Sequence, residues 1–169
     1  MMIITKTDII KNGIWLTFPP LLFSLSLMTL LPTALTPAQF NEGIPDVLLN
    51  IESIGQILVF AMPAFFSIGI SSTTQKRGLA LYLAGVILYY LSYGTQNFPP
   101  NSDWSSSTSG FAASAYTNVF WTIGLCLLGE KFYFTKRLRY RSIFYIVPAV
   151  IFVIAHTTHA VIYHQRSFN

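Results

Sequence analysis

Five apolar runs, each about as long as the roughly 20 residues a helix needs to cross a bilayer core, alternate with short polar segments. They cover residues 14–35, 48–70, 78–98, 111–129 and 143–163, and Glu52, near the start of the second, is the one Asp, Glu, Lys or Arg inside them. This pattern predicts an all-α fold: an integral membrane bundle of five transmembrane helices, forming a single polytopic domain over residues 1–169 with no separate soluble domain. Pro19 and Pro20, Pro63 and Pro148 fall in three of the runs. Each proline removes a helix hydrogen bond and frees a carbonyl one turn earlier, here on Trp15, Leu16, Val59 and Phe144. Static kinks that improve packing are the expected result, with a hinge as the alternative. In the third run Ala80 and Ala84, followed by Gly85, have the spacing that lets helices approach closely in lipid.

Composition agrees with the pattern. The 169 residues are 53% hydrophobic and only 9% charged, against about 25% charged for a soluble domain. Such a chain cannot cover its own surface with charge, and a lipid bilayer is its expected solvent and partner. The net charge of +4 invites a nucleic-acid reading until its placement is considered. All basic residues except Arg166 lie in three segments: the N-terminus with Lys6 and Lys11, the linker with Lys76 and Arg77, and the loop with Lys131, Lys136, Arg137, Arg139 and Arg141. Five crossings put those segments on one side, with Glu42, Asp46, Glu52 and Asp103 toward the other. Lysine and arginine collect on the cytoplasmic side, so the N-terminus is expected in the cytoplasm and the C-terminus outside. The expected location is a plasma membrane of the bacterial inner-membrane type, and no nucleic-acid partner is expected. Lysines ahead of an apolar run also resemble a secretory signal peptide, but the run is long for that and no A-x-A site follows it.

Ionisable groups inside a membrane are costly and mark candidate sites. At 1.5 Å per residue Glu52 lies about 6 Å inside the outer boundary and Gln56 about 12 Å. His159 and His156 rise to about 6 and 10 Å from the same boundary. Tyr93 on the third helix and Tyr116 and Asn118 on the fourth fall in this band, with Gln96 and Asn97 just above it. The candidate polar site is therefore Glu52, Gln56, Tyr93, Asn118, His156 and His159. The histidines at i and i+3 share a helix face, as do Glu52 and Gln56 at i and i+4. If those faces meet, Glu52 bonds an imidazole, and His156, His159 and Glu52 become weak candidates for a divalent-metal site.

Other chemistries find less support. Cys126 is the single cysteine, which excludes an intrachain disulfide and a cysteine-based zinc or iron–sulfur centre within one chain. A haem with two histidine ligands needs them on opposing helices, and every histidine here lies in or beyond the last run. Ser105, Ser106, Ser107 and Ser109 share the histidine side, but they have no nucleophile motif and read as a polar loop with Trp104 as an interfacial anchor. No cofactor and no reaction are designated. The expected function is a small binding or accessory membrane component with a polar pocket in the outer leaflet. The alternatives are a membrane enzyme or metal-dependent protein using His156, His159 and Glu52, and a subunit of an oligomeric transporter. A homo-oligomer or a protein partner in the membrane fits each of these.

Overall fold

The computed structural model describes residues 6–28, 36–97, 102–134 and 139–168, and the chain is mostly helical. Helix α1, Phe18–Met28, is entered through a 3-10 turn at Gly13–Thr17. Helix α2, Asp46–Ala61, tightens into a second 3-10 turn at Met62–Phe65. Helices α3, Thr73–Asn97, α4, Asn118–Leu128, and α5, Ile143–Phe168, complete the set. Three segments, Asp46–Phe65, Thr73–Gln96 and Ile143–Ser167, are long and apolar enough to cross a membrane, while Gly13–Ser26 and Ala113–Leu128 are apolar but shorter. Residues 29–35 of the first expected run, Phe98 of the third, and the basic residues Lys136 and Arg137 lie outside the described residues.

Two runs depart from the helical expectation. The second was expected to stay helical to residue 70, yet the backbone is extended at Phe66 (φ −133°, ψ 152°). There strand β1, Phe66–Ile68, pairs antiparallel with β2, Gly129–Phe132, in the register Phe66 to Phe132 and Ser67 to Lys131. The fold is thus helical with a small two-stranded ribbon. Hydropathy cannot separate a short apolar strand from the end of a helix. The fourth run, expected as one helix over 111–129, is divided into Thr108–Phe111, Ala113–Tyr116 and α4. Polar side chains claim the carbonyls along the way: Asn118 Nδ2 donates to Ser114 O at 2.8 Å and Ala115 O at 3.0 Å, Thr117 Oγ1 donates to Ala113 O, and Gln96 Nε2 donates to Phe111 O. Side-chain competition of this kind tightens and bends a helix.

Helix α3 begins five residues before the expected Gly78, for a local reason. Ser72 Oγ accepts from Gln75 N–H, and Gln75 Oε1 accepts from the Ser71 and Ser72 N–H groups. Ser-Thr-Thr-Gln is therefore a capping box. The close approach of α3 to α4 uses glycines and not the alanine pair. A side chain at Gly85 would run into the Phe120–Trp121 backbone, and one at Gly124 into the backbone of Tyr82. Ala80 and Ala84 face outward and are exposed. Trp121, Leu125 and Leu128 of α4, Tyr145 of α5, Val59 of α2 and Phe66 of β1 are fully buried in one core.

The connections alternate between two ends of the bundle. At the ribbon end Asn12 donates to Ala64 O, Tyr133 Oη donates to Asp8 O, and Lys131 pairs with Asp8 at 3.2 Å. At the other end, the lid end, the segments 36–45 and 102–112 fold onto the C-terminal half of α5. The described basic residues other than Arg166 belong to the ribbon end. Two freed carbonyls are satisfied by tyrosines: Tyr82 Oη donates to Leu16 O at 2.8 Å, and Tyr145 Oη donates to Val59 O at 3.0 Å. Pro19 and Pro20 sit in the first turn of α1 and Pro63 in the first turn of the second 3-10 stretch, where a missing backbone N–H costs least.

Candidate functional site

Helices α2 and α5 run antiparallel and touch where Gly55 meets Phe152: a β-carbon on Gly55 would lie 2.9 Å from the Phe152 Cβ. One turn toward the lid end from that crossing, Glu52 faces His156, and a further turn along α5 brings in His159. His156 Nδ1 lies 2.8 Å from Glu52 Oε1, and His159 Nδ1 lies 2.5 Å from Glu52 Oε2. One carboxylate therefore bridges two imidazoles. The side chains differ in exposure: His159 is 1% exposed, Glu52 14% and His156 29%. His156 lies parallel to Phe152, with centroids 5.3 Å apart.

The segment 36–45 closes over His159. A single helical turn, Pro37–Asn41, carries Phe40, whose ring stacks on the imidazole at 4.2 Å and whose carbonyl lies 2.9 Å from His159 Nε2. Phe40 also packs on Tyr163, Ile44 is buried, and Arg166 donates to the Glu42 carbonyl. Gly43 makes the turn beneath Arg166 with φ 64°, a backbone conformation that favours glycine. The second connection docks on the same helix. His164 Nε2 donates to Ser106 O at 2.9 Å, and its Nδ1 accepts from Thr108 Oγ1 at 3.2 Å. Ser102 and Ser107 are N-caps of the short turns here, and Ser105 Oγ donates to Thr95 O. The serine stretch expected as a polar loop is a folded cap, and Trp104 within it is exposed.

Of the six expected site residues the structure brings three together, Glu52, His156 and His159. Gln56 shares a side with Glu52 only loosely; the buried stripe of α2 runs through Gly55 and Val59, and Gln56 is turned outward and exposed. Tyr93 joins an aromatic group on the α1 side, 6.2 Å from Phe23 and 5.9 Å from Tyr89. Asn118 is buried inside the fourth run, where its Oδ1 accepts from Trp121 Nε1 at 2.7 Å. Counting along five expected helices puts these residues in one band, but helix rotation separates them. Phe40 was missed because an aromatic in a loop between prolines has no periodic signal. Tyr116 packs with Phe111, Ala160 and Tyr163 beside the lid.

Hydrogen-bond geometry limits what this centre can do. His159 has acceptors at both ring nitrogens, and a neutral imidazole carries a single N–H. With that N–H given to the Phe40 carbonyl, the 2.5 Å contact to Glu52 must contain a second proton, held by the ring or by the carboxyl group. Without it two lone pairs would face each other. Both Nδ1 atoms point at carboxylate oxygens rather than at a common outside point. Among the described residues no group of three His, Cys, Asp or Glu is arranged to hold a metal ion. A half-open cavity of about 450 Å³, lined by Ile9, Trp15, Phe65 and Phe134 among others, lies at the ribbon end, away from the histidines. Comparison with known protein families, curated proteins and solved structures finds no match for this chain.

Proposed function

We propose that the chain is a small five-span membrane protein with a binding or accessory role. Its N-terminus is cytoplasmic and its C-terminus outside, in a plasma membrane of the bacterial inner-membrane type. Three long apolar helices and two shorter ones, with basic residues at the ribbon end, support that arrangement. In this reading the Glu52–His156–His159 centre is a proton-holding latch just inside the outer boundary. The observation that carries it is the position of His159 between Glu52 and the Phe40 carbonyl. Removing the shared proton sets the Glu52 and His159 lone pairs against each other and loosens the lid, so the outer surface offered to a partner depends on protonation.

Cysteine labelling with a membrane-impermeant reagent tests both parts in a Cys126→Ala background. Gln39→Cys, exposed on the lid, labels in intact cells; labelling only after the inner face is opened would reverse the orientation. Ile44→Cys, buried on the underside of the lid, labels slowly at low pH and, relative to Gln39→Cys, at least tenfold faster as pH rises, and Glu52→Gln, whose amide N–H stands in for the shared proton, removes that pH dependence. A rate unchanged by pH with Glu52 in place would remove the latch.

A further inference from the structure

Gln56 has no place in the latch, and its actual position carries an inference of its own. Asn50, Ser53 and Gln56 are all exposed on α2. At intervals of three they follow one another along one side of the helix. None has a side-chain hydrogen-bond partner among the described residues. Ile57, on the same side, is 66% exposed. Of the three long apolar segments, the one built on α2 is the least covered by the rest of the chain.

With α2 read as a membrane span, as proposed above, this polar stripe descends from the outer boundary to about 12 Å inside it. Lipid offers an amide nothing to bond, so such a side chain finds its partner on another helix. We propose that the partner is a second copy of this chain, packed on α2 about a two-fold axis along the membrane normal. The chemistry favours self-association. Asn, Ser and Gln side chains each donate and accept, so a stripe of them is complementary to its own image. Symmetry also delivers each partner group at the matching depth. A different protein would have to carry its own polar ladder at the same three levels. Gln56 pairs with Gln56 across the axis, Ser53 lies one turn above it, and Ile57 packs alongside.

The full-length protein in lipid nanodiscs and in native membranes tests this. In a Cys126→Ala background Ser53→Cys, which leaves Gln56 intact, forms a disulfide-linked dimer on mild oxidation. Leu83→Cys, exposed at 53% on α3, does not. Gln56→Leu weakens self-association of donor- and acceptor-labelled chains about tenfold, while Gln56→Asn retains most of it. A membrane-retained protein that stays monomeric and unaffected by Gln56→Leu would overturn the proposal, as would equal cross-linking at Leu83→Cys or a Ser53→Cys product with another protein. Alkaline carbonate extraction separates the two readings: release of the chain from membranes would overturn the span itself.

Discussion

Gly55 of α2 lies against Phe152 of α5 with no room for a β-carbon, which would sit 2.9 Å from Phe152 Cβ and 3.1 Å from its Cα. In an antiparallel pair that crossing fixes the register, and the register aims Glu52 at His156 and His159. Gly55→Leu is expected to push the helices apart, at about 1–3 kcal/mol for overpacking, and to break the imidazole contacts. Stability in detergent, together with the histidine ring resonances by NMR, measures both effects. Unchanged imidazole signals would show that the contacts do not depend on this crossing.

Removing the carboxylate isolates two imidazoles on a partly buried face. Glu52→Ala should cost about 3 kcal/mol, the range for breaking a buried pair by deleting one partner. His159→Ala, at the 1% exposed position, should cost more than His156→Ala, at 29%. Thermal unfolding in nanodiscs gives the order. A loss below about 0.5 kcal/mol for Glu52→Ala would mean the centre behaves as a solvated surface pair.

Tyr145 donates to the Val59 carbonyl that Pro63 leaves without its helical N–H. Tyr145→Phe should therefore cost about 1–3 kcal/mol, the penalty for a buried acceptor left unpaired. Pro63→Ala restores an N–H one turn on, so the double substitution should be less destabilising than the sum of the two single changes. Additive losses in the double-mutant cycle would detach the hydroxyl from the proline.

At the ribbon end the Tyr133 hydroxyl is pushed up to about 12 from its usual 10 by burial, with Asp8 and Glu130 adding in the same direction. The fold favours the neutral phenol. That stability is complete below pH 10 and is lost as pH rises through about 12. Spectroscopic titration should show a late tyrosine that disappears in Tyr133→Phe and moves earlier in Glu130→Gln. A Tyr133 that ionises at the ordinary value would show that the hydroxyl does not hold the Asp8 carbonyl.

Much of the helical frame was legible because hydropathy needs only composition along one line. Runs 78–98 and 143–163 became the long helices α3 and α5, extended at their polar ends where the capping box at Ser72 and the Arg166 turn continue the backbone pattern. The error at residues 66–70 has the same origin: Phe66, Ser67 and Ile68 are as apolar as a helix end, and their strand depends on Gly129–Phe132, far away in sequence. The division of the fourth run came from Asn118, whose amide bonds back to Ser114 and Ala115.

By itself, the sequence determined that five apolar stretches alternate with polar ones, that positive charge gathers in alternate connections, and that Glu52, His156 and His159 come level with one another if those stretches run back and forth. Depth follows from residue number along a helix, and charge from composition. Only the tertiary structure decided which of those level residues meet. Helix rotation is set by close contacts such as Gly55 on Phe152 and Gly124 on Tyr82, and these turn Glu52 toward the histidines, Gln56 outward, and Tyr93 and Asn118 into separate packing. Phe40 joined the site because the chain folds back over α5, a placement written in no local pattern.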